Sequence, residues 1–367
     1  MSTETLSRRQ RFLRRTVEVV DAVVAPHGVD RYVELALPTW SSTEVRARVV
    51  AAERTTPSTV TLTLRPNANW IGFRAGQHTQ VSVEIDGVRH TRCYSLAGSA
   101  HCDDGLIELT VKAHPGGTVS RHLVDHAEPG MVLGLTPAQG DFVLPDVRPN
   151  RLLLMSGGSG ITPVLSMLRT LCDESLDDPI TFVHYALKAS DHVYRAELDA
   201  LAADHPNVRL VRIYTDEPGT GDLDGFFSAA QLDAIEPCWR DADVYVCGPG
   251  PLMDGVREHY AAAGLAERYH DEAFTLATVV AESTGGRVTF AASGPSVVDD
   301  GRPLLLQAED AGLTPESGCR MGICHTCTRQ LTCGTVRDVT TGELTDAAGT
   351  PIRICVSAPV GDVAIDL

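Results

Sequence analysis

Cys319, Cys324 and Cys327 stand in the run Gly318-Cys319-Arg320-Met321-Gly322-Ile323-Cys324-His325-Thr326-Cys327, a C-x4-C-x2-C pattern, and Cys355 follows after a gap of 27 residues. Two bridged irons require four thiolates, and this spacing is that of a plant-type [2Fe–2S] ligand set. Gly318 and Gly322 let the loop backbone approach the sulfurs and aim N–H groups at them. A structural zinc site is the competing reading, although zinc modules usually pair two short C-x2–4-C arms. A chain holding the two-iron cluster moves electrons one at a time.

A second group of residues suits a flavin. Arg92-Cys93-Tyr94-Ser95 ends a strand of alternating pattern, and Thr110-Val111-Lys112 and the turn Gly116-Gly117-Thr118-Val119-Ser120 follow it. N–H groups at the start of a helix favour an anionic phosphate, and Arg92 could clamp the same group through two parallel hydrogen bonds. Tyr94 would lie flat against an isoalloxazine ring, with the Ser95 hydroxyl at its edge. Taken alone, the four-residue pattern equally fits a surface arginine beside a strand tyrosine.

A third group suits a nicotinamide dinucleotide. Gly157-Gly158-Ser159-Gly160-Ile161-Thr162-Pro163 links an apolar strand to a helix, with Pro163 where G-x-G-x-x-G has its last glycine. Proline is well placed in a helix's first turn, so Gly158 and Gly160 can still bring a pyrophosphate to a helix N-terminus. Cys247-Gly248-Pro249 ends another strand at the lip where a nicotinamide would sit; a buried cysteine before a tight turn is the plainer alternative. After the second strand come Tyr185-Ala186-Leu187-Lys188-Ala189-Ser190, then His192 and Arg195. Lys188, Ser190 and Arg195 suit a 2′-phosphate better than a hydroxyl, while Asp191 opposes that reading. NADPH is the expected donor and NADH the alternative.

Positioning these residues takes several domains, and a length of 367 residues allows two or three. Leu6, Leu13, Val17, Val20 and Val24 recur at helical steps in a 1–42 arm. Its first 15 residues carry five arginines against Glu4. Such a helix either packs on the protein's own surface or docks on a partner or an anionic membrane surface. Over 43–147, runs such as Val45-Arg46-Ala47-Arg48-Val49 and Leu106-Ile107-Glu108-Leu109-Thr110-Val111 alternate with period two, as in a small antiparallel barrel. Over 148–275, apolar strands alternate with helical stretches, Asp191–Ala203 and Leu252–Ala263 among them, which predicts a parallel sheet. A linker is expected over 276–286 and short strands around the cluster loop over 287–367.

A net charge of −17 argues against a nucleic-acid partner. No run of 18 apolar residues offers a membrane span. Ser7-Arg8-Arg9 is not followed by an apolar export region, and the six cysteines beyond the cluster set show no disulfide spacing. A cytoplasmic location is the expectation.

Together these stretches resemble the ferredoxin–NADP+ reductase superfamily, in the subgroup that carries a C-terminal plant-type ferredoxin. Within it they are most similar to the oxidoreductases that feed electrons to acyl-CoA desaturases. Pro26-His27-Gly28-Val29-Asp30-Arg31-Tyr32 and Gly72-Phe73-Arg74-Ala75-Gly76-Gln77 add to the likeness, which spans essentially the whole chain. The resemblance implies a flavin-binding antiparallel β-barrel, a doubly wound nicotinamide domain and a β-grasp ferredoxin domain. It implies FAD, contacted by Arg92, Tyr94, Ser95, Thr110, Val111, Lys112 and Gly117 to Ser120. It also implies catalytic positions at Thr162, near the flavin, and at Cys247, packed against the reacting nicotinamide carbon without acting as a nucleophile. Glu272 and Phe274 would lie near the flavin ring, or else belong to a strand at a domain interface. Leu96-Ala97-Gly98 departs from the expected Pro-Ala-Ser, so the contact from that turn stays open. Electrons would pass from NADPH to FAD to the cluster and then to an acyl desaturase. A Rieske oxygenase, an alkane hydroxylase or a cytochrome P450 is the alternative acceptor. A reading from another class is a metal-bound interaction module that does not turn over.

Overall fold

The computed structural model describes residues 33, 37–114, 117–274, 285–318, 322 and 325–367. Most of the expected arm, Cys319, Cys324 and all of the expected linker but Gly285 and Gly286 lie outside them.

Strands β1 (Val45–Thr56), β2 (Thr59–Pro66), β3 (His78–Ile85), β4 (Val88–Ser95), β5 (Ile107–Lys112) and β6 (Val132–Leu135) form one antiparallel sheet in the order β4-β3-β6-β1-β2-β5. Its two ends meet where Leu96 bridges Leu109 and the Ala97 N–H donates to the Glu108 carbonyl. The alternating pattern explains the curl: Val45, Ala47, Val49, Leu62, Leu109 and Val111 all point into one core. Helix α1 (Thr118–His126) joins that core through Val119, Leu123 and Val124. Burying a leucine such as Leu123 contributes about 2 kcal/mol.

The next unit is a wholly parallel sheet. Strands β7 (Leu152–Gly157), β8 (Ile180–Ala186), β9 (Val208–Tyr214), β10 (Leu223–Asp224), β11 (Asp243–Cys247) and β12 (Tyr269–Glu272) run in the order β10-β9-β8-β7-β11-β12. The helices are α2 (Ile161–Asp173), α3 (Arg195–Asp204), α4 (Ala229–Ile235) and α5 (Gly250–Ala262). Helices on both faces bury the strands twice over, which is why β7, β8 and β11 are mostly apolar on both faces and why the Ser156, Thr181 and His184 they carry are buried. Strand order reverses between β7 and β11, so the crevice at their carboxyl ends is the expected ligand position. One helix differs from the sequence expectation. Asp191–Ala203 is not a single helix, because Tyr194 takes a left-handed φ of 63° and α3 starts only at Arg195. The Tyr194 hydroxyl is held from the barrel, donating to Glu108 Oε1 at 2.9 Å.

Helix α2 grips the barrel with three side chains on one face. Ser166 Oγ donates to the Gly98 carbonyl, Arg169 Nη1 donates to the Ala97 carbonyl, and Thr170 Oγ1 accepts from the Ala100 N–H, at 2.7, 2.7 and 3.0 Å. The divergent Leu96-Ala97-Gly98 turn is therefore a docking point between the two units. Arg169 also pairs with Glu108 of β5 at 2.7 Å and Glu197 of α3 at 2.6 Å, beneath the Tyr194 ring. Arg169 is the least exposed of these three charges, so losing a partner would leave its charge poorly compensated.

Strands β13 (Arg287–Phe290), β14 (Ser296–Val298), β15 (Thr328–Asp338), β16 (Leu344–Thr345), β17 (Pro351–Arg353) and β18 (Ser357–Ile365) make the third unit. Its sheet runs β14-β13-β18-β15-β16, with β13 parallel to β18 and the other pairs antiparallel. Helix α6 (Leu304–Asp310) packs on β18, the arrangement of a β-grasp fold.

Candidate functional site

The crevice at the sheet's reversal is made by two turns pressed together. A Cβ on Gly160 would lie 2.1 Å from the Cys247 carbonyl oxygen, and one on Gly157 would lie 2.6 Å from Pro249 Cδ. Only glycine allows that approach. Gly158 takes a left-handed φ of 56° and opens a short 3-10 turn, Gly158–Gly160, that runs into α2. The Ile161 N–H already donates to the Gly158 carbonyl and Pro163 has none, so the N–H groups of the uncapped turn itself are the ones placed for an anion. Thr162 is buried and donates to the Ser159 carbonyl at 3.2 Å. Cys247 is fully buried; burial, with the charges of Glu272 and Asp271, pushes its thiol well above the usual range. A thiol kept neutral is a poor nucleophile. Phe274 is half-buried against the same core.

On the barrel side, burial pushes the Tyr94 phenol up, with the Arg92 charge opposing it. Ser95 Oγ is buried with no partner among the described residues. His78 lies opposite Ser95 in the β3–β4 ladder, and its Nδ1 sits 3.2 Å from Glu272 Oε1. His78 Nε2 and Glu272 Oε2 are likewise buried without partners. Three unsatisfied polar atoms at one seam fit a polar ring edge, as a flavin presents, since buried polar groups rarely stay unpaired.

Other expected flavin contacts are sorted by the strand register. Val111 and Val119 send their side chains into the barrel core. The Thr110 hydroxyl is taken by Thr61 at 2.9 Å and by Tyr194. Only backbone groups at those three positions are open to a cofactor. Lys112 and Thr118 are exposed, and Gly117 starts α1 without a side-chain cap. A Cβ on Gly117 would lie 2.5 Å from Ser120 Oγ, which accepts from the His114 N–H.

At the far end of the crevice Lys188 and Arg195 are exposed, and neither has an ion pair among the described residues. Asp191 is half-buried in a short 3-10 turn beside them. Beneath lie two adjacent, buried histidines: His184 Nδ1 pairs with Ser156 Oγ at 2.9 Å, His192 Nδ1 pairs with the Tyr214 hydroxyl at 3.0 Å, and the rings, tilted by 41°, have centroids 4.5 Å apart. Burial, then Arg212 and Arg195, lowers His192 to about 4. A histidine depressed in the folded state favours unfolding once the unfolded chain, with an ordinary value near 6.5, takes up its proton. Stability is thus expected to be full above about pH 6.5 and to fall towards pH 4, by on the order of 3 kcal/mol from His192. Thermal melts of the parent and of His192→Phe across that range check it. Identical pH slopes would contradict the assignment.

In the third unit Cys327 and Cys355 are buried, 2% and 1% exposed. The Gly322 N–H donates to Cys355 Sγ at 3.2 Å, and its carbonyl accepts from Arg353 Nη1 at 2.7 Å. Arg353 is itself held by Asp338 at 2.8 Å. Gly322 has φ +79°, and a Cβ there would meet Val356 at 2.9 Å. A glycine N–H aimed at a buried thiolate sulfur fits a two-iron cluster, whose charge such donors offset. No motif in the sequence points to His78, Arg169 or Asp338. Arg353 alone left a local signal, standing two residues before Cys355.

Three family models match the chain in order: an oxidoreductase FAD-binding domain over 46–144, an oxidoreductase NAD-binding domain over 154–258 and a 2Fe-2S iron-sulfur cluster binding domain over 291–360. An NADPH oxidoreductase of Mycobacterium tuberculosis is 37% identical over 354 residues, covering 95% of this chain and 91% of that protein. The glycine betaine monooxygenase reductase subunit of Pseudomonas aeruginosa is 33% identical, covering 80% of this chain and 87% of that one. Among solved structures, phthalate dioxygenase reductase superposes with a TM-score of 0.62 at 24% identity, covering 88% of this chain and 98% of the other, a likeness of fold.

Proposed function

Since the chain belongs to the NAD(P)H-dependent oxidoreductases of the ferredoxin–NADP+ reductase type with a C-terminal 2Fe-2S domain, we propose that it is the reductase component of an oxygenase system. When bound, FAD supplies the conversion of a two-electron hydride into single electrons and the [2Fe–2S] cluster their one-by-one exit. The order of the three domains in one polypeptide carries this reading, supported by the monooxygenase reductase subunit among its relatives.

In this reading Arg92 and the N-terminus of α1, with Gly117 to Ser120, hold the FAD phosphates. Tyr94 covers the ring face and Ser95 its edge. Gly158 and Gly160 admit the NADPH pyrophosphate. Thr162, Cys247 and Glu272 line the point where nicotinamide and flavin meet, with Phe274 beside them. Cys319, Cys324, Cys327 and Cys355 bind the irons. The protein works in the cytoplasm, where the thiols stay reduced.

An acyl desaturase is the second acceptor, favoured by the stretches Pro26–Tyr32 and Gly72–Gln77 that carry the resemblance. Reconstitution with Rieske and haem oxygenases and with acyl desaturases, measuring product formed per NADPH consumed, decides between them. NADPH oxidation uncoupled from product with every oxygenase would reject the first.

Lys188 and Arg195 set the preference for NADPH. Replacing both by alanine is expected to raise the KM for NADPH by on the order of 10- to 100-fold, through lost charge-assisted hydrogen bonds. The KM for NADH should hold. An unchanged ratio between the two would overturn this assignment.

A further inference from the structure

His78 and Glu272 are 194 residues apart in sequence, on different units, yet meet in a buried pair at 3.2 Å. His78 opens β3 and is 2% exposed; Glu272 ends β12 and is 8% exposed. Little freedom is left to the imidazole. The backbone of His78 exchanges two hydrogen bonds with Gln139, and Gly140, at φ +113°, lies so close that a Cβ would stand 3.0 Å from Nδ1. Glu272 pairs across the parallel sheet with Cys247, so its backbone is fixed to the lip of the crevice. With Oε1 committed to His78, Oε2 is buried with no partner among the described residues, as is Ser95 Oγ, whose residue lies directly opposite His78 in the antiparallel ladder.

Cross-strand neighbours of this kind have Cβ atoms about 5 Å apart. The seam therefore presents one carboxylate acceptor and one hydroxyl from opposite units to a single ligand edge.

We propose that His78 is a positioning residue: by holding Glu272 Oε1 it fixes the carboxylate so that Oε2 and Ser95 Oγ meet the flavin edge together, which makes hydride transfer depend on the barrel and the nicotinamide unit being correctly seated. This rests on the flavin-site reading above. A carboxylate free to rotate would still be present in the crevice but would point elsewhere, and a displacement of about 1 Å costs about 100-fold in rate.

The test uses the full chain and four variants: His78→Leu, His78→Asn, Glu272→Gln and the Leu/Gln double. Single-turnover bleaching of bound FAD by NADPH is read beside the Kd for NADPH. His78→Leu and Glu272→Gln are each expected to slow bleaching about 30- to 100-fold with Kd within about threefold. The double should be no slower than either single, because both remove one linked contact. His78→Asn, whose amide nitrogen stands near the place of Nδ1, should recover to within about fivefold of the parent.

Bleaching at the parent rate in His78→Leu, rate losses that multiply in the double, or no recovery in His78→Asn would each overturn the proposal. A second readout needs no flavin. In the flavin-free chain, the His78 ring-nitrogen NMR signal should shift in Glu272→Gln, and a signal that stays put also overturns it. Failure of the parent chain to bind FAD would instead strike the flavin-site reading, and the ring-nitrogen signal separates the two failures.

Discussion

Replacing Cys355 by serine should cut NADPH-driven cytochrome c reduction by at least about 100-fold, while ferricyanide reduction stays within about twofold of the parent. The reason lies in how the sulfur is held. Cys355 is almost fully buried, and its Sγ accepts the Gly322 N–H at 3.2 Å. Arg353, anchored by Asp338, clamps the carbonyl of the same glycine. A serine oxygen is harder and bonds at shorter reach, so it cannot replace a thiolate in a loop fixed at both backbone groups. Ferricyanide can take electrons at the flavin, so that activity is spared. Iron and acid-labile sulfide measured on the same preparation complete the test. A variant with the parent's sulfide content and cytochrome c rate would remove Cys355 from the ligand set, and stoichiometric zinc in the parent would remove the two-iron cluster itself.

Gly160→Ala should be the most damaging small substitution in the nicotinamide unit. Its Cβ would fall 2.1 Å from the Cys247 carbonyl oxygen and 2.4 Å from the carbonyl carbon, both backbone atoms that cannot turn aside. The β7–α2 and β11–α5 turns would have to separate. Overpacking of this kind costs about 3 kcal/mol, a fall in Tm of roughly 6–12 °C for a unit of this size. Separation also widens the crevice, so NADPH binding should weaken more than tenfold. Calorimetry and NADPH titration on Gly160→Ala check both effects. By contrast, a Cβ on the neighbouring Gly158 would meet nothing within 4 Å, so Gly158→Ala carries only the strain of its left-handed φ. Equal damage at both positions would mean that the turn-to-turn contact is not what limits the site.

Much of the molecule was legible in the chain because the signals are local. The C-x4-C-x2-C spacing sits within one loop and states its own ligand chemistry. Period-two alternation in β1 and β5 reports burial of one face and the mostly apolar strands β7, β8 and β11 burial of two, whereas β2 and β3 alternate in sequence yet bury both faces over their first four residues. What failed locally failed for a long-range reason. The stretch from Asp191 has a helical pattern, yet Tyr194 leaves helical geometry because its hydroxyl is claimed by Glu108 of the barrel.

Tertiary structure alone decided which residues meet. Nothing in the local pattern around His78 points to Glu272, nor around Leu96-Ala97-Gly98 to Ser166, Arg169 and Thr170. Nor does a βα turn at Gly160 announce that the carbonyl of Cys247 will press on it. Sequence spacing specifies contacts within a turn or across adjacent strands, where covalent geometry fixes the distance. Contacts between units are set by how two separately folded cores dock, and the chain records that only in side chains that look ordinary until the docking is known.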